Sequence, residues 1–204
     1  MKHTKLLLGL AVLALLVSFA ATVQAFQEPP LSKLALQPEE MPVSAQIASR
    51  GDFKPASLAQ VGAYGMVDAQ GQQLVSNYLR GYEIQAFAPS QAVFIANYVY
   101  EFKSTDLAKT EYANWQQKLS THSPVGKVEN LKSKSGLQGE RAVFISSETG
   151  TPLYWFVAQK GRFLWFVMVD SGFSSEAMDR GLESADAQAG KQVFDQLVNT
   201  ILSR

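Results

Sequence analysis

Residues 152–170, PLYWFVAQKGRFLWFVMVD, constrain the fold more than any other stretch of the chain. They hold two of the three tryptophans and three of the twelve phenylalanines. Two strands, 152–159 and 162–170, flank a turn at Lys160-Gly161. A two-residue turn there pairs Gln159 with Arg162, Phe156 with Trp165 and Trp155 with Phe166. One sheet face then carries Leu153, Trp155, Val157, Leu164, Phe166 and Met168. The other carries Tyr154, Phe156, Phe163, Trp165 and Val167. An antiparallel sheet open to water on one side alternates apolar with polar residues, and this hairpin does not. Both faces therefore need cover. A membrane would supply it only to a closed barrel, and the chain has a handful of strands with helical segments between them. The cover expected is protein.

Three segments have helical spacing. Residues 57–79 carry Leu58, Val61, Gly65, Asp68, Leu74, Tyr78 and Leu79 at roughly helical spacing, weakened by Gly62, Gly65 and Gly71, with an interruption expected near Asp68–Gly71. Residues 105–121 are the clearest, with Ser104 or Thr105 as cap and an apolar stripe of Leu107, Ala108, Tyr112, Trp115 and Leu119. Residues 174–202 open on a serine and carry Met178, Leu182, Phe194, Leu197, Val198, Ile201 and Leu202. The Ala/Gly-rich middle of this last segment suits a bend or a close packing contact. Residues 81–88 and 91–102 read as a hairpin. Phe94, Ala96, Tyr98, Tyr100 and Phe102 take one face of its second strand, and Val93, Ile95 and Val99 take the other. A weak strand is expected at 43–49, a short strand and turn at 128–140, and a strand at 140–146. The fold class is α+β: a mostly antiparallel sheet sandwiched between helical layers, with a long C-terminal helix.

The N-terminus reads as an export signal. Lys2 and Lys5 precede the apolar run LLLGLAVLALLVSFAA, and Val23 and Ala25 sit where a signal peptidase reads small residues. Cleavage is expected after Ala25, which leaves no integral membrane span. The run is about 16 residues, short for a span of roughly 20. Cleavage would leave 16 basic against 18 acidic residues in about 180. The product is exported, periplasmic or secreted. Residues 26–42 hold four of the eight prolines and read as a linker, with a short edge strand at Leu34–Leu36. Residues 43–204 form one α+β domain, large enough for a real core.

The order of hairpin, helix, strands and long C-terminal helix resembles the PsbP/Mog1-like superfamily, including exported proteins of the LpqN type. The carrying stretches are RGYEIQAF, AVFIANYVYEFKS, the helix with Asp106-Leu107-Ala108, and YWFVAQKGRFLWFV, within residues 43–203. The lipidated cysteine of such lipoproteins is missing. The resemblance implies a small accessory or ligand-binding protein.

Familiar chemistries find little support. There is no cysteine, so thiol nucleophiles, thiolate metal sites and disulfides are excluded. One histidine, His122, remains after cleavage, at a helix end where it suits the helix dipole. No metal site is expected, because one histidine with scattered acids does not make zinc geometry. Asp179, Glu183 and Asp186 read as a solvated acidic helix face. Arg50-Gly51-Asp52 matches an integrin-binding tripeptide, a three-residue match common by chance. The near-neutral charge does not suit nucleic acid. No cofactor is expected.

Aromatic side chains are the remaining candidates. Tyr98, Tyr100, Tyr154, Trp155 and Trp165 either line an apolar ligand pocket or are plain core. The reading is an exported accessory or binding protein of the cell envelope. Its partner is an envelope protein or a small apolar ligand. The alternative is a carboxylate-dependent hydrolase of envelope or extracellular polymers.

Overall fold

The structure, a computed structural model, describes residues 30–42, 44–54, 77–121, 124–125, 127–146, 150–171 and 181–204. All the described elements lie in one unit, Leu31–Arg204. The expected export signal, His122 and most of the segment 57–79 lie outside the described residues.

Among the described residues seven antiparallel strands form one sheet: β1 (Gln46–Phe53), β2 (Tyr78–Ala88), β3 (Val93–Phe102), β4 (Glu129–Lys132), β5 (Gln138–Ile145), β6 (Pro152–Lys160) and β7 (Phe163–Ser171). Their spatial order is β1-β2-β3-β7-β6-β5-β4. The fold is α+β. The pairing of β3 with β7 joins two halves that are each built from sequential neighbours. It sets Tyr98 opposite Phe166 and Val99 opposite Trp165. Both central strands are rich in β-branched and aromatic residues, as buried strands should be.

Period-two alternation sorts the side chains into two cores. Ala96, Tyr98, Tyr100, Phe102, Val157, Leu164, Phe166 and Met168 join one. Ile95, Val99, Tyr154, Phe156, Trp165 and Val167 join the other. The face assignment expected from the hairpin holds, although its register does not. Lys160 pairs with Phe163, Trp155 with Met168 and Phe156 with Val167. The turn is Gly161-Arg162, and Gly161 has φ 58°. A left-handed first turn position favours glycine, so Gly161 belongs there rather than second. The slip moves each partner by two residues, which preserves the faces.

Helix α2 (Thr105–Thr121) forms as expected. Ser104 Oγ accepts from the Leu107 amide at 3.2 Å. Ala108, Tyr112, Trp115 and Leu119 join the core of Tyr98 and Phe166, while Leu107 is exposed. Helix α3 (Ala185–Leu202) forms the C-terminal part of the expected segment, preceded by a 3-10 turn at Gly181–Glu183, and residues 174–180 with Met178 lie outside the described residues. Its cap is Ser184, whose side chain accepts from the Ala187 amide at 3.1 Å. Val193, Phe194, Leu197, Val198 and Ile201 join the core of Tyr154 and Trp165. A Cβ on Gly190 would stand 2.2 Å from Ser171 Cβ, so the small residue lets α3 and β7 approach.

Two segments correct the sequence reading. The expected edge strand at Leu34–Leu36 is instead helix α1 (Leu31–Leu34), followed by a 3-10 turn at Pro38–Glu40. Leu31, Ala35, Leu36 and Met41 are buried in the core of Tyr154 and Trp165. Proline at the first position of the short 3-10 turn loses no helical hydrogen bond, which is why this proline-rich stretch can still fold. Tyr78–Arg80, expected at the end of a helix, begins β2.

Candidate ligand-binding site

Four separated parts of the chain meet at one end of the sheet. The β6–β7 turn supplies Lys160, Gly161, Phe163 and Trp165. Leu34 comes from α1, Leu137 precedes β5, and Ile201 and Arg204 come from the end of α3. Between them lies a cavity of about 340 Å³ with a mainly apolar wall. The Phe163 and Trp165 rings are 6.1 Å apart.

Hydrogen bonds hold the α1 side of this cavity. Trp165 Nε1 donates to the Leu34 carbonyl at 3.0 Å. Arg204 donates to the Leu34 and Ala35 carbonyls at 2.6 and 2.9 Å, and pairs with Glu40. Asn97, fully buried in β3, accepts from the Leu36 amide at 2.8 Å and donates to the Phe166 carbonyl at 3.1 Å. Such ties are needed because α1 has four residues, far too few to be stable as an isolated helix. Asn97→Ala is expected to cost about 2–4 kcal/mol, since the Leu36 amide and the Phe166 carbonyl each lose a buried partner. Faster hydrogen exchange at the Leu36 amide would report the loss directly; unchanged exchange there would contradict it.

The five aromatics named from sequence do not converge. Tyr98, Tyr100 and Trp155 face α2. Tyr98 and Tyr100 are fully buried, and Trp155 meets the Trp115 ring edge-on at 5.8 Å. Tyr98 Oη accepts from Gln85 Nε2 at 3.2 Å. Burial pushes the Tyr98 and Tyr100 phenols well above the usual tyrosine value, so both are neutral. Tyr154 lies on the opposite face and donates to the Ala187 carbonyl at 2.8 Å. Of the five, Trp165 alone lines the cavity. Phe163 was visible in the hairpin of residues 152–170. Leu34, Leu137, Ile201 and Arg204 had no local signal, because only the tertiary fold brings them together.

Carboxylates offer less. Among the described residues no three metal-ligating or acidic side chains gather. Glu101 is bound by Arg80 and Arg162. Glu140 accepts from Gln116 at 2.6 Å. Asp179 is outside the described residues, and Glu183 is exposed. Asp170 is buried, and burial raises its carboxyl above the usual 3.8 despite the hydrogen bond from Thr151. The folded state therefore holds this proton to higher pH than the unfolded chain. Its contribution to stability is complete below the ordinary carboxylate value and is lost as pH rises through the raised one. Asp170→Asn should remove that loss, so the variant gains on the wild type between pH 4 and pH 7 in urea denaturation. An equal difference at both pH values would refute it.

No family model matches the chain, and no curated protein matches it. It is similar to the crystal structure of the extracellular domain of PknH from Mycobacterium tuberculosis, with a TM-score of 0.42 and 12% sequence identity. The match covers 84% of this chain and 94% of that one. Among the described residues no helix is long and apolar enough to cross a membrane.

Proposed function

We propose that the protein is an exported, non-catalytic binding protein of the cell envelope, and that it holds a small apolar ligand between the β6–β7 turn, α1 and α3. The observation that carries this reading is the cavity at Phe163 and Trp165. Its volume of about 340 Å³ reaches the range of small-molecule sites. Its wall is mainly apolar, and aromatic rings give large contact area. The export-signal pattern of residues 1–25 supports delivery outside the cytoplasm. Helical layers on both sides of the sheet belong to the same reading, supported by α2 and α3 contributing to different cores. So does membership of the PsbP/Mog1-like superfamily, supported by the order hairpin, helix, strands, C-terminal helix.

Native mass spectrometry of the protein recovered from its own host tests the proposal. A bound species is expected, as extra mass the size of one small molecule, and it should be lost when Phe163 and Trp165 are replaced by alanine. A bare monomer that takes up no apolar compound would sink the reading. A stable complex with another protein would replace the ligand by an envelope partner.

A further inference from the structure

We infer that the ligand is a single-chain amphiphile with a carboxylate head, its tail in the cavity and its head on Lys160. This inference rests on the cavity reading above and names the ligand class. The charged residues lining the cavity are Lys160 and Arg204, and no acid lines it. Arg204 is already committed to Glu40 and to the carbonyls of Leu34 and Ala35. Arg162, in the adjacent turn, is committed to Glu101. Lys160 is different: among the described residues its ammonium has no hydrogen bond or ion pair. It is exposed at the end of β6 and pairs across the hairpin with Phe163. Cross-strand partners point to the same face of a sheet, so the free cation stands beside the apolar wall.

That arrangement selects among ligands. An anionic head buried against the apolar wall would lose its hydration without return, so it must stay at the mouth. A lysine there can lay its methylenes along apolar surface and keep its ammonium in water, where it meets the head. The tail then runs along Phe163, Trp165, Leu34 and Ile201. The cavity volume sits at the low end of the small-molecule range, which fits one chain rather than two.

Calorimetric titration of the protein, purified from its host and stripped of bound amphiphile, tests this. The probes are octanoate, decanoate and dodecanoate, with decanol and dodecanol as neutral matches, all kept below their aggregation limits. Affinity for the acids should rise about fourfold per methylene. Lys160→Gln should weaken dodecanoate about tenfold, as loss of one charge-assisted hydrogen bond does, and leave dodecanol unchanged. Dodecanol binding as tightly as dodecanoate, with no effect of Lys160→Gln, would overturn the carboxylate head and leave the apolar cavity standing. Acids that bind without dependence on chain length would overturn the tail. No binding of either series would remove this inference and the cavity reading together.

Discussion

Phe166→Ala is expected to destabilise the protein by about 3–5 kcal/mol, the usual cost of truncating a fully buried aromatic. Phe166 has no exposed surface. Its ring lies 4.9 Å from Trp115 of α2, 5.6 Å from Trp155 of β6 and 6.3 Å from Tyr98 of β3. The neighbours thus come from a helix and from the strands on both sides of β7. None of them can close the gap easily. Trp115 and Trp155 already meet edge-on, and Tyr98 is held by Gln85. A cavity whose walls cannot move costs more than the lost transfer energy. Against a typical total of about 5–15 kcal/mol, the loss is a large fraction. Urea denaturation checks it: the midpoint should fall with the slope unchanged. A midpoint near that of the wild type would mean that α2 and the sheet do not interlock through this ring. Phe163→Ala is the contrast. That ring is half-buried at the ligand cavity, so its removal should affect binding more than folding.

The same alternation explains what could be read in advance. Side-chain parity along 152–170 is insensitive to a slip of two residues. The two faces were therefore legible even with the wrong turn residues. Parity also held the information that the five aromatics could not share one pocket. Tyr154 and Trp155 are adjacent in a strand and must point to opposite faces. Choosing them by residue type discarded that signal. Asn97 was a second signal. It sits between Ile95 and Val99 on an apolar face, and a buried amide there demands polar partners. Its partner, the Leu36 amide, lies 61 residues away in a segment that reads as a linker. Proline content argues against a long helix there. It carries no information on docking, which depends on Leu31, Leu36 and Met41 finding a sheet face. The cavity was illegible for the same reason, being assembled from residues as distant as Leu34 and Arg204.

The other large effect expected is at Glu101, and it connects the sheet to the cavity. Its carboxylate is 3% exposed and pairs with both Arg80 and Arg162. The arginines are more exposed, at 43% and 31%, so each can return to water if its partner is removed. Glu101 cannot. Arg80→Met with Arg162→Met should therefore cost about 3–5 kcal/mol, the cost of leaving a buried charge without a partner. Each single variant should cost well under half of that, because the remaining arginine still holds the carboxylate. Adding Glu101→Leu to the double variant should restore most of the stability, since no buried charge then remains. Urea denaturation of the four variants measures this. A double variant as stable as the wild type would show that the carboxylate finds water instead. Ligand affinity should follow a different order. Arg162 also fixes the β6–β7 turn, where its carbonyl accepts from the Phe102 amide at 2.9 Å and its guanidinium lies 5.9 Å from the Phe163 ring. The triple variant should regain stability and still bind weakly, because methionine at 162 leaves no guanidinium beside the Phe163 ring. Stability and binding would then separate, because Arg162 serves the Phe163 wall of the cavity as well as the buried pair with Glu101.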